Sequence, residues 1–168
     1  MKLNELLLSC LNSEVERSRR ALAEVPAGKY EWKPHERSMK LGYLSDMVAT
    51  IPTWLVMQVK EDQLDVAPEG ASKMKQEPKE TSEALIKALD DSANTARAAL
   101  QNTSEEHLLT PWKLLAHGQV VMEAPRYQMI QDTISHWSHH RGQLTVYLRL
   151  LGAQVPAIVG SSADEQRF

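Results

Sequence analysis

Apolar positions recur with the 3.6-residue period of an α-helix in four separate stretches of this chain. Leu3, Leu6, Leu7, Cys10, Leu11, Val15, Leu22 and Val25 follow it first, with Glu and Arg between them. This predicts a helix beginning near Asn4 and ended by the Pro26-Ala27-Gly28 segment. A second stretch runs from about Leu41 to Glu61 through Leu44, Val48, Ile51, Leu55 and Val59. Pro52 lies inside it. An interior Pro removes one backbone hydrogen bond and collides with the preceding turn, at a cost of about 3 kcal/mol, so a kink is predicted there. In the third stretch Leu85, Ile86, Leu89, Ala93, Ala96 and Leu100 line one face, with Thr81, Ser82 and Glu83 as capping residues. The fourth, Arg126 to Leu151, contains no Pro after its start and no Gly before Gly142.

The connections read differently. Lys29 to Lys40, with Trp32, Pro34 and Ser38, predicts an irregular segment that tucks Trp32 under the core. Asp65 to Pro78 carries Pro68, Gly70 and several charges, as a solvated loop would. Thr103 to Pro125 is mixed and suits a turn or a short strand pair. The tail from Gly152 to Phe168 has no helical period and is expected to fold back over the helices. There is no internal repeat. Four amphipathic helices in one chain of 168 residues predict a single all-α domain over 1–168, a four-helix bundle.

Composition narrows the function classes. The formal charge of -3 gives no electrostatic case for nucleic acid, and no basic stripe marks any helix. No apolar run approaches the roughly 20 residues needed to cross a bilayer. The amphipathic N-terminus, interrupted early by Glu5, is unlike a signal peptide. A single Cys10 excludes an internal disulfide and fits a reducing compartment, so a cytoplasmic protein is expected.

The candidate chemistry lies in His136-Trp137-Ser138-His139-His140-Arg141-Gly142-Gln143. At 100° per residue, His136 and His140 fall about 40° apart on the helix, sharing an arc with Met129, Thr133, Leu144, Tyr147 and Leu151. Two imidazoles so placed on an inward stripe supply half of a metal site, the rest coming from another helix. The same pair is equally compatible with packing or hydrogen bonding in the core. His139 falls on the flank, beside Asp132. Trp32, Trp54, Trp112 and Trp137 read as core packing or, alternatively, as pocket walls. Asp46 reads as a solvated charge, and Arg141 and Arg149 as residues outside the core paired with acids. His35, His107 and His117 fall in connections and read as surface histidines.

Taken together, Trp32-Lys33-Pro34, Ser38-Met39-Lys40-Leu41-Gly42 with Leu44, His136-x-x-x-His140-Arg141-Gly142-Gln143-Leu144 with Tyr147 and Arg149, and Val155-Pro156 with Gly160 and Ser162 to Glu165 resemble the DinB-like (damage-inducible) superfamily over nearly the whole chain. The resemblance implies a DinB/YfiT-like metalloenzyme fold, up-up-down-down with one long crossover and often a homodimer. It also implies a divalent ion, nickel or zinc, held by three histidines. The fourth-helix pair matches His136 and His140, but the second-helix position is Met47. A thioether is a soft, neutral donor that suits Cu(I) better than zinc or nickel. Metal binding is therefore expected to be weak or absent, unless another group such as His35 completes the site. The pocket is expected to include Met47, Ile51, Trp137 and Gln143. Two functions follow from the resemblance. One is a metal-dependent transferase that joins a small thiol to a small electrophile, with His139 as a candidate proton shuttle. The other is a non-catalytic small-molecule-binding protein that has lost its metal.

Overall fold

The computed structural model describes residues 2–69 and 79–167. Its helical body is built from α1 (Leu3–Ala23), α2 (Leu41–Thr50), α3 (Pro52–Lys60), α4 (Ser82–Gln101), the single-turn α5 (Glu105–Leu108) and α6 (Arg126–Leu150). The periodic stretches account for all of these except α5. α2 and α3 are one periodic stretch divided at Ile51, because Pro52 cannot donate the next backbone bond and instead serves as the first residue of α3. Thr81 caps α4 by accepting a 3.2 Å hydrogen bond from the Ala84 N–H.

α1 packs on α4 and α6, and α2 and α3 pack on both α4 and α6. Leu11, Leu44, Ile51, Leu55, Leu89 and Trp137 lie fully buried where these helices meet. The connection between α1 and α2 folds against the α2 N-terminus. Tyr30 and Trp32 carbonyls there accept from the Gly42 and Leu41 N–H groups at 2.9 and 2.7 Å, filling two of the donors that a helix start leaves free. Gly42 is obligatory for this contact, since a Cβ on it would stand 2.1 Å from the Tyr30 ring. Trp32 meets Tyr147 edge-on at 5.6 Å between centroids, as its predicted place under the core requires. The tail folds back: Ala157 is fully buried, and Arg149 and Arg20 bind Asp164 and Glu165.

The structure adds a small mixed sheet to the all-α expectation, its hairpin falling in the Thr103–Pro125 stretch read as a turn or short strand pair and its third strand unanticipated. β2 (Pro111–Ala116) and β3 (Gln119–Pro125) form an antiparallel hairpin. Its tip is His117 and Gly118 at φ 53° and 74°, the left-handed conformations a two-residue hairpin turn demands. β1 (Gln63–Asp65) pairs parallel with β2, giving the order β1-β2-β3. Asp65, expected in a solvated loop, instead closes this strand; its carboxylate accepts from the N–H groups of Ala67 and Gly118 at 2.9 and 2.7 Å. Those bonds hold its pKa below the ordinary carboxylate value. The rest of that expected loop, 70–78, lies outside the described residues.

Two charges are corrected. Asp46 is not solvated but 2% exposed, accepting from the Tyr30 hydroxyl at 3.1 Å with Lys79 Nζ 3.2 Å from its other oxygen. Burial first, and then the Asp46 charge, push the Tyr30 phenol up to about 12. Arg141 is likewise inside, 3% exposed, and pairs with the buried Glu14 of α1. Arg149, by contrast, is exposed and binds Asp164 at 2.8 Å, as anticipated. In both corrected cases a partner on another segment makes burial tolerable, and helical periodicity carries no information about such partners.

Candidate functional site

The sheet stands against one end of the helical body, and Arg126 fastens it there. This residue opens α6 and is 2% exposed. Its Nε donates to Thr110 Oγ1 at 3.0 Å and its Nη2 to Asp62 at 2.5 Å. Its Nη1 donates to the Gln58 carbonyl at 2.8 Å and also to the Glu61 carbonyl, capping the C-terminal turn of α3. His107 adds a ring-nitrogen hydrogen bond to the Val59 carbonyl at 2.8 Å, so it is a half-buried structural histidine and not a surface one.

Between α3, α6 and the sheet lies a cavity of about 650 Å³. Its apolar wall comes from Trp54 and Met57 of α3, Leu64 of β1, Trp112 and Leu114 of β2, and Met129 of α6. Its polar groups are Gln58, Thr133, Asp65, Asp132 and His136, with the exposed Tyr43 at the margin. Both formal charges among the described lining residues are negative. A volume in the range of roughly 300–1,000 Å³ with a mostly apolar lining is typical of small-molecule sites.

The two histidines of α6 come together as their spacing requires. His136 Nε2 lies 2.6 Å from His140 Nε2, and His140 Nδ1 lies 2.8 Å from Gln143 Oε1. The amide oxygen of Gln143 can only accept, so Nδ1 of His140 carries a proton. With neutral rings, His140 Nε2 is then the acceptor and His136 Nε2–H the donor. The rings differ in exposure: His140 is 9% exposed, whereas His136 stands exposed at the cavity rim, edge-on to Trp54 at 5.5 Å. Partial burial first, and then the neighbouring His140 and His139, lower the His136 pKa below its ordinary value. His139 is exposed, its ring 5.3 Å from that of His140.

The remaining expected pocket residues separate. Gln143 serves the histidine pair. Ile51 and Trp137 belong to the core, where Trp137 Nε1–H donates to the Val48 carbonyl at 2.7 Å. Met47 is half-buried and packs against that core, one turn after Tyr43. Sequence reasoning missed the cavity itself and its buried Gln58, whereas Trp54 and Trp112, read as core packing or alternatively as pocket walls, do line it. The sheet that roofs the cavity left no clear periodic signal.

A divalent ion fits this donor set poorly. No group of three or more His, Cys, Asp or Glu side chains placed to share a metal occurs among the described residues. The two Nε2 atoms converge, but at 2.6 Å they are closer than the separation of about 3.3 Å that two imidazoles adopt on tetrahedral zinc. The pair is arranged as a hydrogen bond.

A DinB family model matches residues 1–166. No curated protein matches. Among solved structures, the chain resembles a DinB-like protein of Bacillus subtilis at 22% identity and TM-score 0.67, with 96% of this chain and 99% of that one covered. A DinB-like protein of Bacillus cereus aligns at 17% identity and TM-score 0.70, covering 90% and 95%. One assigned to the same family in Exiguobacterium sibiricum aligns at 16% identity and TM-score 0.61, covering 90% and 93%. At these identities the likeness extends to the fold. No helix among the described residues is long and apolar enough to cross a membrane.

Proposed function

Taking as premise that the chain belongs to the DinB family, we propose that it binds a small, largely apolar molecule in the cavity between α3, α6 and the sheet. On this reading it is a four-helix bundle that keeps a ligand pocket without a resident metal. The observation that carries the reading is the cavity of about 650 Å³ with its apolar wall, beside an imidazole pair whose facing nitrogens already satisfy each other. The exposed His136 ring, whose protonation is disfavoured by partial burial and by the neighbouring His140 and His139, offers a ligand a polar contact at the rim.

A specific observation favours a second reading, a divalent-metal-dependent transfer of a small thiol. The nitrogens of His136 and His140 converge, and Gln143 fixes the His140 tautomer, as outer partners of metal-bound histidines do. That reading requires a third donor where Met47 stands. Thiols carrying carboxylates would also meet the negative field of Asp65 and Asp132.

One preparation tests both. Uptake of the neutral dye N-phenyl-1-naphthylamine, followed by its fluorescence, is expected for the unmodified protein and is expected to fall sharply for Met129→Trp, which fills the cavity. Elemental analysis is expected to find no stoichiometric zinc or nickel in the unmodified protein and to find it in Met47→His. Stoichiometric metal without the substitution, or dye uptake indifferent to Met129→Trp, would reject the proposal.

A further inference from the structure

The cavity between α3, α6 and the sheet is electrostatically one-sided. Its described lining includes two carboxylates, Asp65 and Asp132, and no Lys or Arg. Asp65 is half-buried, and its two oxygens accept backbone N–H groups, from Ala67 at 2.9 Å and from Gly118 at 2.7 Å. Those bonds hold the carboxylate in place and favour its ionised form, yet leave it lone pairs to spare. Asp132 is exposed on α6, one turn before His136 and on the same face. Neither acid belongs to an ion pair among the described residues. The cations of the adjoining elements are engaged elsewhere, Arg126 with Asp62 at 2.5 Å and Lys113 with Glu123 at 4.0 Å. Aromatic surface lies open beside these charges: Trp54 is half-buried and Tyr43 is exposed. An aromatic face attracts a cation through its quadrupole.

We infer that the ligand is a small organic cation, an apolar body bearing one protonated amine, which the carboxylates of Asp132 and Asp65 select. The inference rests on the small-molecule reading above and names its ligand class. The apolar body lies against Trp54, Met57 and Leu114. Burying an ammonium outright is costly, but Asp132 is exposed, so the head keeps part of its water while the body is covered. A carboxylate ligand of the same body is repelled by both acids, and a neutral alcohol gains nothing from either.

The test uses the full chain labelled with ¹⁵N and three probes that share one body: octylamine, octan-1-ol and octanoate. At pH 7 the amine is protonated, as a lysine side chain is, and the acid is ionised. Bound probe is expected to move the Trp54 indole N–H resonance and to leave that of Trp32, which does not line the cavity. At low salt the amine should bind roughly three- to tenfold tighter than octanol, and octanoate more weakly than either. Raising the ionic strength from about 0.01 M to about 1 M should remove most of the amine's advantage, because the Debye length falls from about 30 to about 3 Å. Asp132→Asn is expected to weaken the amine roughly two- to fivefold and to leave octanol unchanged. Glu16→Gln, the same change of net charge at an exposed position of α1 outside the cavity, should alter neither. The comparison of probes on the unmodified protein stands even if a variant fails to fold. Equal losses in the two variants would trace the preference to the net charge of the chain and overturn the inference. It is overturned too, with the pocket surviving, if octanol or octanoate moves Trp54 and binds as tightly as the amine. If no probe moves that resonance, the pocket reading falls and this inference falls with it.

Discussion

α6 takes part in a polar pair on each of two faces, and the two have opposite fates. On one face Arg141 reaches Glu14 of α1, both under a tenth exposed, with Ser138 and Arg17 adding further hydrogen bonds. On the other, His136 and His140 are hydrogen-bonded to each other, with His136 at the rim of a cavity. The charged pair joins two helices and is enclosed by them. The histidine pair spans one turn of a single helix and joins nothing across the interface. A buried charge tolerates the interior only when it is fully paired, so Arg141 and Glu14 are committed to the fold. An uncharged imidazole bears partial exposure cheaply and stays available to a ligand.

Breaking the charged pair should have the largest effect. Arg141→Ala strands the Glu14 carboxylate and is expected to cost about 3–5 kcal/mol in a urea melt. Replacing both residues by Met should recover most of that loss. An Arg141→Ala protein as stable as the parent would remove the distinction between the two faces.

A smaller effect is expected on the other face. Gln143→Leu frees His140 Nδ1 and should cost about 1 kcal/mol, the net worth of one hydrogen bond. The ¹⁵N shifts of the His140 ring should change as its tautomer is released. Unchanged shifts would show that Gln143 does not set it.

The smallest effect is a slope. The folded state holds the His136 pKa below its ordinary value of 6.5, so the unfolded chain takes up the proton first as pH falls. The contribution of His136 is therefore intact above about 6.5 and is lost as pH drops from there through its lowered folded value. Stability measured across that window should decline, and His136→Gln should flatten the decline slightly. A variant with the same slope would assign it to other groups.

Much of the helical frame was legible in the sequence. Pro52 divides α2 from α3 because a missing N–H acts locally, and Thr81 caps α4 for the same kind of reason. Spacing alone brought His136 and His140 together, since both sit on one helix. What was misread depended on partners from elsewhere in the chain. Asp46 looks solvated until Tyr30 folds onto it, and Arg141 looks external until Glu14 arrives from α1. β1 is three residues long and exists through its pairing with β2, so no alternation of its own announces it.

By itself, then, the sequence determined the periodic helices, their caps and breaks, and the juxtaposition of two imidazoles one turn apart. These are consequences of backbone geometry within about a dozen residues. The tertiary structure alone decided which polar groups are buried with partners and which are left without them. Gln58 and Trp112, 54 positions apart, share a cavity because Arg126 draws the sheet onto the end of α3. Burial and pairing are properties of a site's surroundings, and those surroundings are assembled from the whole chain.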